Sequence, residues 1–116
     1  YVGDIADGLL RAGYYDAAIG QEMNLASEHE TTIGELAAKV NALTGNSSGT
    51  CMVGKRKWDT KTRLLASVDR ARKLIGYEPR MNFDEGLKRT VQWFRDNWKQ
   101  IEGDASFPSG MSSAVR

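Results

Sequence analysis

At 116 residues and 12.8 kDa, with 41% hydrophobic and 27% charged residues, the chain has the size and make-up of one globular domain with a core. Sixteen basic against fifteen acidic side chains leave a formal charge of +1, a near-balance that argues against a dedicated nucleic-acid binder, which carries a clear basic excess. A single cysteine, Cys51, excludes an internal disulfide and fits a reducing, cytoplasmic setting, while no apolar run reaches membrane-spanning length and no signal-peptide pattern opens the chain.

The chain opens with YVGDIADGLL, already in strand-to-helix rhythm, and reads as a piece that starts in mid-fold. DIADGLLRAG predicts a short helix, with Asp4 as its cap, Ile5 and Leu9 on one face and Gly13 at its stop. YYDAAIGQ is a loop, and EMNLA (Glu22 to Ala26) alternates Met23 and Leu25 with polar neighbours as a half-buried strand does. In TTIGELAAKVNALTG, Thr32 and Glu35 form a capping box, Ile33, Leu36, Ala37, Val40 and Leu43 share a face, and Gly45 ends the helix. After the NSSG turn, TCMVG (Thr50 to Val53 at its centre) predicts a second short strand.

KRKWDTKTR follows, with five basic side chains and one acid in nine positions. Ser67 then suits the cap of a helix with Val68, Ala71, Leu74 and Ile75 inward, closed by Gly76 and barred from continuing by Pro79. The longest helix starts at Asn82, capped with Glu85, and carries Phe83, Leu87, Val91, Phe94, Trp98 and Ile101 as an apolar stripe. Residues 1–102 make one lobe, and 103–116, small, polar and aperiodic, make a loose tail. A strand, a capped helix and a second strand predict a right-handed parallel unit, and hence an α/β fold with a small, mostly parallel sheet flanked by helices. So small a parallel sheet needs cover on both faces, which points to a missing part.

The order of the motifs carries a resemblance. Val2 and Asp4 precede a helix, Asn24 lies in the strand, and Thr32 to Leu36 read Thr-Ile-Gly-Glu-Leu. Arg56 and Asp59 give Arg-x-x-Asp, then come Asp69 and Ala71, Ile75 to Tyr77 with Pro79, and Glu85 to Leu87 before Trp93. Residues 1 to about 98 resemble the C-terminal, substrate-binding lobe of extended short-chain dehydrogenase/reductases, above all the NAD-dependent nucleotide-sugar epimerases and dehydratases, with Ile75 standing where a leucine is usual. The resemblance implies a Rossmann-type parent that uses NAD or NADP on a nucleotide-diphosphate sugar. A related reductase or decarboxylase shares the pattern, and a free-standing, non-catalytic binding module is the rival from another class.

The resemblance also implies which residues bind. Its Arg-x-x-Asp maps a diphosphate contact to Arg56 and a ribose contact to Asp59, with Arg63 placed near the same site; guanidinium forks suit phosphate oxygens, and a carboxylate accepts from ribose hydroxyls. The bland alternative is a solvated loop whose charges only keep the surface wet, which is the reading for Lys55, Lys57 and Lys61. Trp58 could stack on a base, but a loop tryptophan more often packs against a neighbouring helix. The family's glycine-rich dinucleotide loop and Tyr-x-x-x-Lys pair are absent from this sequence, so the chain itself is expected to bind no NAD and to hold no catalytic residue. His29 sits in a polar turn and no metal constellation is present, while Cys51 reads as a small buried hydrophobe and Asn24 as a residue that bonds backbone. Expected partners are therefore the nucleotide sugar and a missing N-terminal dinucleotide-binding domain, with no nucleic acid and no membrane. Loss of that domain would leave apolar faces on which the chain self-associates.

Overall fold

The computed structural model describes residues 1–54, 57, 58, 60 and 63–104. Among these, four α-helices form: α1 (Val2–Tyr14), α2 (Ile33–Thr44), α3 (Asp69–Ile75) and α4 (Phe83–Asp104), with one 3-10 turn at Asp16–Ala18. The chain packs as two linked groups, α1 with α3 and the 3-10 turn, and α2 with α4.

Helix α1 starts before Asp4, with Tyr1 as its N-cap and no side-chain cap bond. The Asp4 carboxylate is used elsewhere: it accepts from the backbone N–H of Arg80 at 3.2 Å and of Met81 at 3.1 Å, tying α1 to the approach to α4. Gly13 does not end the helix, because its φ is not left-handed; α1 runs on to Tyr14 and Tyr15 turns extended. Gly8, one turn into α1, is buried because Leu25 and Tyr77 lie directly over it: a Cβ there would fall 2.7 Å from Leu25 Cδ1 and 3.0 Å from Tyr77 Cδ2.

In α2 the capping box forms as the sequence requires. Glu35 N–H donates to Thr32 Oγ1 at 3.2 Å, Thr32 N–H donates to Glu35 Oε2 at 2.8 Å, and Gly45 takes the left-handed cap. Leu36, Ala37, Val40 and Leu43 are half-buried on the expected face, while Ile33 is exposed. In α3 the N-cap is Val68; Ser67 Oγ, one residue earlier, accepts from the Asp69 N–H at 3.2 Å. Gly76, at φ +62°, turns the chain so that the Tyr77 N–H reaches the Ala71 carbonyl and its ring enters the core. Asn82 Oδ1 accepts from Asp84 N–H at the start of α4, whereas Glu85 pairs with Arg89 instead of closing a capping box.

The fully buried core is small: Val68, Ala71, Ile75 and Tyr77, packed by Ala12, Ala18, Met23, Leu25, Ala26 and Leu74. The expected strand at Glu22–Ala26 supplies three of those packing residues but forms no strand. Side chains hold it in place: Arg70 donates to the Glu22 carbonyl at 3.1 Å, Asn24 donates to that of Ser67 at 3.4 Å, and Tyr77 Oη donates to that of Ala26 at 3.3 Å. Thr50–Val53 is likewise no strand, and Cys51 within it is exposed rather than buried. The parallel sheet is therefore corrected: among the described residues there is none, because a ladder needs a paired neighbour and the two segments do not lie beside each other as one. No helix among the described residues is long and apolar enough to cross a membrane.

Candidate functional site

The turn between Ala26 and α2 faces the segment that leads from the basic cluster into α3. Between them lies a cavity of about 320 Å³, lined by Ala26, Ser27, Glu28 and His29 on one side and Leu64, Leu65 and Ala66 on the other. Local chemistry fixes its first wall. Glu28 has φ +58°, a left-handed conformation that costs a side-chain-bearing residue roughly 1–2 kcal/mol. Arg72 holds it there: Nη2 meets Glu28 Oε2 at 2.6 Å, while Nε reaches Glu78 Oε1 at 2.6 Å and Nη1 reaches Asp69 Oδ1 at 3.0 Å. One half-buried guanidinium thus joins the turn, the start of α3 and the chain beyond it.

Arg63 stands at the end of the basic cluster and is 70% exposed. Its Nε donates to Glu30 Oε1 at 2.8 Å and to Oε2 at 3.0 Å, and its Nη2 donates to Oε2 at 2.7 Å, a two-pronged pairing across 33 residues. The guanidinium holds the Glu30 carboxyl below the usual carboxylate range, chiefly through these hydrogen bonds. Thr32, two residues on, caps the start of α2, so Glu30 lies between two anchored points: the Glu28–Arg72 pair and the capping box.

Of the site residues read from the sequence, Arg63 is placed on Glu30, each of them one residue along the chain from a cavity-lining residue, Leu64 and His29. Arg56 and Asp59, with Lys55 and Lys61, lie outside the described residues, as does the expected 103–116 tail from 105 onward, while 103 and 104 are not loose but end α4. Lys57 is exposed. Trp58, expected to pack on a helix, is instead 74% exposed. His29 is exposed, and no cluster of three His, Cys, Asp or Glu able to hold a metal occurs among the described residues. Sequence reasoning missed Glu30, Glu28 and Arg72, which frame the site; the two acids of SEHE flanking His29 were the available signal, but their cations come from 33 and 44 residues away.

A second concavity, about 620 Å³, runs between α2 and α4 and is lined by Val40, Thr44, Leu87, Val91, Phe94 and Trp98 among others. Its lining is mostly apolar, with Thr44, Thr90 and Arg95 as its polar members.

No family model matches the chain. Over 88% of its length it is 46% identical to an epimerase from Methanothermobacter thermautotrophicus, with a TM-score of 0.85, and spans 30% of that structure. It is 33% identical, TM-score 0.68, to the Bordetella bronchiseptica enzyme WbmF in complex with NAD+ and UDP, matching 86% of the chain and 30% of that enzyme. Among curated proteins it is 28% identical over 109 residues to UDP-N-acetyl-alpha-D-glucosaminuronate decarboxylase of Bacillus cytotoxicus, which covers 90% of the chain and 32% of the relative. The chain belongs to the extended short-chain dehydrogenase/reductase family; the relatives it matches are epimerases and a nucleotide-sugar decarboxylase, and it is consistent with a C-terminal portion of such a protein. It spans about 30% of the length of the relatives it matches.

Proposed function

We propose that this chain is the substrate-binding part of an NAD- or NADP-dependent nucleotide-sugar epimerase or dehydratase. The observation that carries the reading is the 46% identity at a TM-score of 0.85 to a known epimerase. WbmF, in complex with NAD+ and UDP, supports a uridine-nucleotide ligand and a nicotinamide cofactor for the whole enzyme. A decarboxylase is the second reading, favoured by the named activity of the Bacillus relative.

In this reading the cofactor, held elsewhere in the parent, would supply the acceptor for a hydride from a sugar ring carbon whose own hydroxyl is deprotonated. This chain's residues do not fit the cofactor. Its sequence has no glycine-rich strand-to-helix turn, and two of its helix starts, at α2 and α4, already spend amides on Thr32 and Asn82. The chain's share is to hold the nucleotide sugar: Arg56 forks onto the diphosphate, Asp59 accepts from the ribose, and Arg63 adds a second guanidinium near the phosphates.

In the full-length enzyme, Arg56→Ala should weaken nucleotide-sugar binding by about 1.5–3 kcal/mol, the range for a hydrogen bond to a charged group, with Lys57→Ala nearly silent. Equal losses at both positions would show that general positive charge, rather than a fork, does the binding. Calorimetric titration of the 116-residue chain with NAD should be flat, and saturable micromolar binding would remove the division of labour proposed here.

A further inference from the structure

We propose that Glu30 is an internal competitor for the phosphate-binding guanidinium: its carboxylate occupies the Arg63 fork until a diphosphate takes its place. The inference rests on the reading of this region as a nucleotide-sugar site, and adds to it a residue that no motif marks.

Three observations lead there. The Arg63–Glu30 pair uses Nε and Nη2 together, with three N···O distances between 2.7 and 3.0 Å. Those same two donors read two phosphate oxygens in a bidentate pairing, so carboxylate and phosphate compete for one set of N–H groups. Second, the pair is open to solvent, with Arg63 70% and Glu30 36% exposed. An exposed ion pair contributes little to stability, so opening it costs little when a more highly charged anion arrives. Third, the two arginines of this region differ in commitment. Arg72 is divided among three carboxylates and fixes the fold of the turn, whereas among the described residues Arg63 pairs with Glu30. Glu28 and the Thr32 box hold the backbone on either side of Glu30. Displacement therefore needs only a side-chain swing, with no rearrangement of the turn.

The test is calorimetric titration of the 116-residue chain with UDP, inorganic pyrophosphate and uridine, for wild type, Glu30→Gln, Arg63→Gln and the double variant. Glu30→Gln should tighten UDP and pyrophosphate by about two- to fivefold, the factor that an exposed ion pair is worth, and leave uridine unchanged. The double variant should lose the gain, and in wild type the Arg63 Nε–H resonance should move on adding UDP. A residue that only supported the turn would weaken binding when changed, so the sign of the effect separates the two roles. Unchanged or weaker UDP binding in Glu30→Gln overturns the proposal, as does a chain that binds neither anion. The broader reading is judged separately: if Glu30→Gln gains affinity while Arg56→Ala in the full-length enzyme loses none, Arg63 is an anion site but the assigned substrate contact is wrong.

Discussion

Two glycines in α1 show how one atom's surroundings decide a substitution. Both lie in the helix, and in isolation alanine would favour either position by about 1 kcal/mol. At Gly13 nothing lies within 4 Å of a new Cβ, so Gly13→Ala should raise stability by about 0.5–1 kcal/mol, less whatever the helix end frays. At Gly8 the new methyl meets Leu25 at 2.7 Å and the Tyr77 ring at 3.0 Å. The leucine end can rotate, but the buried ring has nowhere to go, and overpacking of this kind costs about 1–3 kcal/mol. Gly8→Ala should therefore lower stability by about 1 kcal/mol net, and urea denaturation of the two variants should give midpoints on opposite sides of wild type.

At the scale of an element, α2 is the helix most completely specified by its own sequence. Thr32→Ala removes the hydroxyl that accepts from Glu35 N–H and should cost about 1 kcal/mol. The same box makes α2 sensitive to acid. The Thr32 backbone N–H, then its hydroxyl, hold the Glu35 carboxyl below its ordinary range. A carboxyl whose folded pKa is depressed binds protons more weakly in the fold than in the unfolded chain. Its contribution is complete above the unfolded value and fades as pH falls through the folded one. Glu30, held low by Arg63, adds in the same direction. The melting temperature should thus drop as pH goes below about 4, the ordinary glutamate range, and a Glu35→Gln variant should show a shallower drop from a lower starting point. Thermal melts by circular dichroism at several pH values decide this; equal slopes in both proteins would mean the box does not titrate with folding.

At the scale of the molecule, apolar surface is left uncovered. Leu10 and Ile19 are each 76% exposed, and Tyr14, Met52, Val53 and Leu64 are more exposed still. With four fully buried hydrophobic residues among those described, the core is small for the apolar content of the chain. The relatives it matches are about three times its length, and the chain by itself is expected to self-associate through such faces. Sedimentation velocity over a concentration series should show a rising weight-average mass; a monomer throughout would mean that these side chains are individually tolerated surface.

What the sequence by itself determined was local. The Thr32–Glu35 box, the glycine stops at Gly45 and Gly76, the inward Val68, Ala71 and Ile75, and the long α4 all rest on bonds and contacts between near neighbours, which spacing exposes. The family was legible for the same reason, as a series of short motifs in order. Tertiary structure alone decided the rest. Asp4 looks like a cap until Arg80 and Met81, 76 and 77 residues away, present their amides to it. Glu22–Ala26 alternates like a strand, but alternation records only which face is buried, and here that face lies on α3 and Tyr77 with no ladder alongside. Glu30 and Arg63 are ordinary surface charges in a linear chain. They meet only because the turn before α2 and the approach to α3 fold against each other, bringing a carboxylate and a guanidinium within 2.7 Å.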